Sequence, residues 1–369
     1  MNDTTDLSAT PSNHPDLLRQ LGWSDFFASG LAAMDQTEAS VARVFSVQRN
    51  GFIVTNGHKE WLCSPAGRLL KQRDREYPVT GDWVVVDSTV ITSIIPRKSF
   101  LSRGEAGTRH SRAGSATREQ AIAANLDTVF IVCGLDRDFN IRRLERYLAL
   151  VYNCGLSPVI VLTKADQHDA PESFQQETET IATGVAIVLT SMQDNRGTSE
   201  LESYLGAGQT VAMIGSSGAG KSTLANMLYG SEIQATGEIS ASVGKGRHTT
   251  TVRELIRMPQ GGLLMDNPGI REIAFHEGGD GVEQTFADIQ ELAEACRFSD
   301  CSHQHEPGCA VLNAVESGDI EQDRFDSYNK MKREMEFLES RRNKSADRVE
   351  KERWQDVAKM IKHINKKRK

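Results

Sequence analysis

The chain has 369 residues, with 38% hydrophobic and 25% charged content, which fits globular protein and gives length for roughly two or three domains. No apolar run reaches transmembrane length, and Met1 to Pro15 has neither the basic nor the apolar region of a secretory signal, so neither a membrane-spanning helix nor a secretory signal is expected and the expected location is the cytoplasm. The formal net charge is −7, yet Lys330–Lys369 holds fifteen Lys/Arg against seven Asp/Glu; an acidic body with a basic tail points to a polyanion met mainly by the tail.

Residues 1–37 read as a disordered N-terminal segment followed by one short amphipathic helix, Asp16 to Met34, with Leu17, Leu18, Leu21, Phe26 and Phe27 on its apolar face. Residues 38–98 change to short alternating runs with turns at Asn50-Gly51 and Asn56-Gly57, which predicts a small closed β-barrel. An OB-type barrel is the first expectation; an SH3-like barrel is a rival that the sequence does not separate. Residues 99–120 read as a basic linker. Across this boundary Arg97, Lys98, Arg103, Arg109, Arg112 and Arg118 face a single acid, Glu105, so both a plain linker and a nucleic-acid contact stay open.

Residues 121–275 switch to an α/β texture. Val129–Val132, Pro158–Leu162, Ala186–Leu189, Val211–Ile214 and Leu263–Met265 are apolar runs of the kind buried in a mostly parallel sheet. Residues 276–369 turn polar and helical, enclose a Cys/His cluster and end in the basic tail.

The motifs sit at the carboxyl ends of these runs, where open parallel sheets bind ligands. Gly215-Ser216-Ser217-Gly218-Ala219-Gly220-Lys221-Ser222 is a phosphate loop that opens a helix. Its glycines let backbone N–H groups turn toward phosphates, Lys221 reaches the β- and γ-phosphates, and the Ser222 hydroxyl suits Mg²⁺. Thr223 follows within the same nucleotide-binding set. Thr163-Lys164-Ala165-Asp166 reads guanine: the Asp166 carboxylate accepts from N1–H and the exocyclic amine, a donor pair adenine lacks. The Lys164 stem packs over the base. Thr163 stands where Asn is usual and is expected to lose one contact to the base. Ser191 is expected to supply a backbone contact to the base carbonyl.

In Asp266-Asn267-Pro268-Gly269, Asp266 is expected to hold Mg²⁺ through water and Gly269 to sense the γ-phosphate. Among Thr249-Thr250-Thr251, Thr250 is the first choice as Mg²⁺ ligand, with Thr249 close behind. Ile270 follows Gly269 where many GTPases carry a water-orienting glutamine. Slow intrinsic turnover is therefore expected, with His248 as the candidate group completed by a partner. The catalytic candidates are His248, Lys221 and Thr250. The base-reading motif precedes the phosphate loop, the reverse of an ordinary GTPase, so the nucleotide fold is circularly permuted.

Cys296, Cys301, His303 and Cys309 offer three thiolates and an imidazole for one tetrahedral structural zinc, with His305 a competing ligand. Three clustered cysteines in a chain without a signal favour metal over disulfides.

The permuted order, Gly246-Arg247-His248-Thr249-Thr250-Thr251, Asp266-Asn267-Pro268-Gly269 and the Cys/His cluster together resemble the RsgA (YjeQ) family, with the match running from about residue 38 to 315. The resemblance implies an N-terminal OB domain, a central circularly permuted GTPase domain and a C-terminal zinc-containing helical domain. It also implies GTP hydrolysis to GDP in late small-subunit maturation, stimulated by the 30S subunit and bound through 16S rRNA. A monomer is the default expectation. The competing reading is an RNA-binding module whose affinity nucleotide tunes, with incidental hydrolysis; an ATPase is disfavoured by Asp166.

Overall fold

The computed structural model describes residues 15–34, 40–71, 77–104, 119–231, 254–266 and 280–337. The N-terminal helix is two helices, α1 (Pro15–Gln20) and α2 (Asp25–Ala33), where the sequence suggested one. Gly22 breaks it: its φ is +91°, and a Cβ there would lie 3.0 Å from the Gly208 carbonyl oxygen. The turn aims Trp23 and Phe27 at the buried Trp83, with ring centroids 4.8 and 5.9 Å away.

The barrel comprises β1 (Ser40–Gln48), β2 (Gly51–Thr55), β3 (Glu60–Pro65), the short α3 (Gly67–Lys71), β4 (Trp83–Asp87) and β5 (Val90–Ile94). β1, β2 and β3 pair antiparallel, β3 runs parallel to β5, and β4 closes the ring by pairing with both β5 and β1. This closed order, with its one parallel pair, is the OB arrangement and decides against the SH3-like rival. Alternation sorts the strands' side chains: Val44, Val54, Val84 and Val86 fill the barrel, while Val41, Phe45, Trp83 and Val85 join the main core outside it.

The ends of the expected 99–120 linker are strands, β6 (Phe100–Gly104) and β7 (Glu119–Ala124), paired antiparallel. Two of its six flanking cations are held within the fold. Arg97 makes a two-pronged contact with the buried Asp82 carboxylate, each N–O distance 2.7 Å, and Lys98 lies 3.4 Å from Asp127. Arg97 is thus a structural residue; Arg109, Arg112 and Arg118 lie outside the described residues.

The nucleotide-binding domain contains β8 (Thr128–Gly134), α4 (Ile141–Asn153), β9 (Ser157–Thr163), α5 (Pro171–Glu179), β10 (Ala186–Leu189), α6 (Thr198–Glu202), β11 (Thr210–Ile214), α7 (Lys221–Tyr229), β12 (Glu254–Arg257) and β13 (Leu263–Asp266). Its strand order is β10-β9-β8-β11-β13-β12, parallel throughout except for β12. The chain starts in the middle at β8, runs outward to β10, then restarts on the other side at β11. Both faces of β8 are covered. Val129, Ile131 and Cys133 meet Leu144 and Leu148 of α4, while Phe130 and Val132 share a cluster with Leu224 and Leu228 of α7.

β12 has no counterpart in the sequence reading, since only Leu255 and Ile256 are apolar between Glu254 and Arg257. It pairs with β13 on one side and, at Ser46–Glu254, with β1 of the barrel on the other, making one continuous eleven-stranded sheet. Arg43 seals this junction. Its buried guanidinium donates to the carbonyls of Leu21, Gly81 (3.2 Å) and Asn125 (2.8 Å) and to Thr210 Oγ1 (2.9 Å), touching the helices, the barrel and the nucleotide-binding sheet together. Burial lowers its pKa to about 10 while the charges of Asp127 and Asp82 oppose the drop, so it stays cationic at neutral pH.

Of the C-terminal helices α8 (Gly281–Thr285), α9 (Ala287–Glu294), α10 (Ala310–Ser317) and α11 (322–337), α8 and α11 pack on α4, and α9 and α10 continue the same core. Gly281 approaches so closely that a Cβ would sit 2.1 Å from the Ala149 carbonyl oxygen. Phe286, Ile289 and Val311 extend the same core that fills the space beneath α4. No described helix is long and apolar enough to cross a membrane.

Candidate nucleotide site and metal centre

The phosphate loop leaves the centre of the sheet at β11, between β8 and β13, and delivers Lys221 to the first position of α7. Gly215 has φ +149° and a Cβ there would lie 2.0 Å from the Val132 carbonyl oxygen, so only glycine permits this approach to β8. Gly218 and Gly220 take φ of +87° and +96°. The Lys221 ammonium spans the loop, donating to the carbonyls of Gly215 (2.8 Å) and Ser216 (2.7 Å). Ala219 is buried, whereas Ser217, Ser222 and Thr223 are exposed. The sequence predicts this cradle because the spacing of its glycines and lysine is local.

The base-reading motif follows β9 and turns at once. Lys164 adopts φ +64°, unusual for a non-glycine residue, and Ala165–Gln167 forms a single helical turn that presents Asp166 to solvent. Thr163 is buried, and its hydroxyl donates to the Ala219 carbonyl at 2.6 Å. It therefore ties the motif to the phosphate loop, a role beyond the lost base contact that the sequence predicts. The close fit continues at Gly220, where a Cβ would lie 3.2 Å from Thr163 Oγ1. The Ala165 N–H donates to the Thr190 carbonyl at 3.1 Å, which joins the motif to the end of β10.

A cavity of about 260 Å³ opens between these loops, lined by Lys164, Asp166, Ser191, Met192, Thr223 and Met227 among others. Met192 and Met227 were not singled out from the sequence; they give the cavity apolar walls beside the Asp166 carboxylate. Two further residues come from the loop after β8. Asp136 lies 2.6 Å from the Lys164 ammonium, which also donates to the Gly218 carbonyl at 2.8 Å. Asp138 accepts from the Ser216 hydroxyl and pairs with Arg143 at 2.8 Å. Their one sequence signal is position: they follow a parallel strand at the point where strand order reverses.

The backbone of β13 carries Asp266 to the strand end next to the phosphate-loop strand. His248, Thr249, Thr250, Thr251 and Gly269 lie outside the described residues.

The second site is formed by Cys296, Cys301, His303 and Cys309, whose ligand atoms all lie within 4.8 Å of one another. His303 Nδ1 is 3.4 Å from Cys309 Sγ and 3.7 Å from Cys296 Sγ. Burial, with the Lys332 charge adding to it, holds the His303 imidazole below its ordinary pKa, hence in the neutral form that binds metals. Glu306 braces the loop by accepting from the N–H groups of Ser302, Gln304 and His305 at 2.9–3.1 Å. His305 is exposed and its backbone serves this brace, so of the two histidines it is His303 that meets the cysteines. Three sulfurs and one imidazole nitrogen at this spacing suit a closed tetrahedral zinc site.

Phosphate loop after β11, carboxylate-bearing motif after β9 and a chain that enters on β8 between them define a circularly permuted P-loop nucleotide-binding domain. A model of the RsgA GTPase family matches residues 94–276. A model of the ABC transporter family matches residues 198–366, a span holding the phosphate loop, whose pattern P-loop proteins share widely. The chain is 42% identical to small ribosomal subunit biogenesis GTPase RsgA 2 of Vibrio parahaemolyticus over 91% of both chains, and 44% identical to RsgA of Methanosarcina acetivorans over 80% of both. Among solved structures it is similar to YjeQ from Thermotoga maritima, with TM-score 0.56 and 28% identity over 80% of this chain and 98% of that one. The fold is also that of YloQ, titled a circularly permuted GTPase, with TM-score 0.55 and 24% identity over 83% and 96%. The chain belongs to the RsgA GTPase family.

Proposed function

We propose that this chain hydrolyses GTP to GDP and phosphate during late assembly of the small ribosomal subunit, binding the 30S particle through 16S rRNA and turning over fastest there. The observation that carries this reading is the meeting of a phosphate loop and Asp166 around one cavity of about 260 Å³, in a chain whose relatives are named small ribosomal subunit biogenesis GTPases.

In this reading the backbone of Gly215–Ser222 cradles the phosphates, with Lys221 on the β- and γ-phosphates and Thr223 beside them. Asp166 selects guanine, Lys164 and Ala165 frame the base, Ser191 offers its backbone to the base carbonyl, and Thr163 locks the two loops together. Ser222, Thr250 and Asp266 are the residues for Mg²⁺, which offsets charge on the transferring phosphoryl group when bound with GTP. Gly269 senses the γ-phosphate and His248 completes the catalytic set when the ribosomal partner is bound. Cys296, Cys301, His303 and Cys309 hold one structural zinc. The barrel (38–98), the nucleotide-binding domain (121–275) and the zinc-containing helical domain with its basic tail (276–369) act as a cytoplasmic monomer, with 99–120 between the first two.

The test is GTP hydrolysis by the full chain with purified 30S subunits, with 50S subunits and alone. Acceleration by orders of magnitude with 30S only, and its loss in His248→Ala, is expected. No stimulation would leave the nucleotide-tuned RNA-binding module as the better reading. Equal use of ATP would overturn the role of Asp166.

A further inference from the structure

We propose that Asp136 is a positioning residue for base recognition: it fixes the Lys164 ammonium at the edge of the base cavity and so sets the affinity of the site for guanine nucleotides. The inference rests on the reading of that cavity as the guanine pocket.

Both oxygens of the Asp136 carboxylate are committed. Oδ1 accepts the Asp138 N–H at 2.9 Å, which orients the group, and Oδ2 faces the Lys164 ammonium at 2.6 Å. The lysine's other partner is the Gly218 carbonyl at 2.8 Å. The ammonium is therefore strung between the loop after β8 and the phosphate loop, and its stem lies along the cavity wall. The pair needs space, and Gly134 provides it: a Cβ there would lie 3.0 Å from Asp136 Oδ1 and 3.3 Å from Lys164 Nζ.

The loop carrying Asp136 is itself anchored. Asp138 holds the Ser216 hydroxyl and Arg143, and Asn140 caps α4 by accepting the Arg143 N–H at 2.9 Å. Lys164 also sits in a left-handed backbone conformation, which side chains of its kind adopt only when surroundings impose it. A flexible lysine whose ammonium is fixed by two acceptors gives up its rotamer freedom before the nucleotide arrives, and such pre-organisation raises affinity. The loss of Asp136 would leave the ammonium on the Gly218 carbonyl alone.

The experiment is titration of the full chain with a fluorescent GDP, with ADP as competitor, for wild type, Asp136→Asn, Lys164→Met and the double variant. Saturation kinetics of GTP hydrolysis accompany it. We expect Asp136→Asn to weaken GDP binding about five- to tenfold, the scale of a charge-assisted hydrogen bond at a partly exposed site. KM should rise by a similar factor with kcat unchanged. In the Lys164→Met background the same change should have no further effect, which a merely structural role for Asp136 would not produce. Wild-type affinity in Asp136→Asn, or an equal loss in both backgrounds, overturns the proposal, as does a fall in kcat at constant KM. If the wild type itself does not prefer GDP to ADP, the guanine reading fails first and this inference with it. If it does prefer GDP and the variant is silent, only this inference fails.

Discussion

Arg324 donates to the fully buried Glu145 at 2.9 Å, fastening the C-terminal helices to α4 of the nucleotide-binding domain. The same guanidinium grips Asp288 through two contacts of 2.7 Å and the Thr285 carbonyl at 3.0 Å. Around it Arg142 reaches Glu321 and Arg146 reaches Glu334, each at 2.7 Å. Removing Arg324 leaves the buried Glu145 carboxylate to Arg142 alone and Asp288 without its two-pronged partner. Arg324→Ala is expected to cost about 2–3 kcal/mol, the scale of lost hydrogen bonds to charged groups, measured by chemical denaturation, and to open the C-terminal helices to limited proteolysis. Replacing both partners, as Arg324→Met with Glu145→Leu, should recover much of that loss. A double variant as unstable as the single one would speak against desolvation as the cause.

Thr163→Val keeps the shape of the side chain and deletes the hydroxyl that meets the Ala219 carbonyl at 2.6 Å. A buried hydrogen bond of this type contributes roughly 1 kcal/mol. Nucleotide affinity should drop about fivefold by calorimetry, for GDP and GTP alike, because the link sits under both phosphate loop and base motif. An effect confined to one nucleotide would place the hydroxyl elsewhere in the mechanism.

Arg43→Met leaves the acceptors at Leu21, Asn125 and Thr210 without their Arg43 donor and the Gly81 carbonyl to the Asn125 amide alone. Methionine fills the space yet satisfies none of them, so we expect a loss of about 3–5 kcal/mol in thermal or chemical unfolding. Hydrogen exchange should quicken first at α1, α2 and β1, the elements this residue joins. Wild-type exchange there would show that packing alone holds the junction.

The cysteines should separate by reactivity. Burial raises the pKa of Cys63 and of Cys133 from 9.0 to about 11. Folding thus disfavours their ionisation: the stability tied to the neutral thiols is intact below pH 9 and is lost as pH climbs through about 11. In the native protein at pH 8 neither should alkylate. Adding a zinc chelator should expose Cys296, Cys301 and Cys309 to iodoacetamide while Cys63 and Cys133 stay protected, as read by peptide mass spectrometry. Labelling of all five together would mean that metal loss unfolds the barrel as well.

What could be read in advance was whatever local spacing encodes. Glycines and a lysine spaced for phosphate, a lysine and aspartate after an apolar run, and cysteines around a histidine each carry their geometry within a few residues. Partnerships across the chain stayed hidden. Nothing near Thr163 announces Ala219, nothing near Arg97 announces Asp82, and Asp136 gains meaning only once Lys164 folds over it. β12 escaped because a four-residue strand has too little apolar surface to signal itself, and its existence depends on neighbours far along the chain. Gly22 looked like an ordinary helix interior because the Gly208 carbonyl that excludes a side chain there is remote in sequence.

The seam between β1 and β12 bears on how the molecule can be dissected. A fragment trimmed to start at β8 would strip β12 of its contact with β1 at Ser46–Glu254 and leave it as an outer strand open to self-association. The barrel thus doubles as a guard for its neighbour's flank, and the two are better studied as an undivided piece.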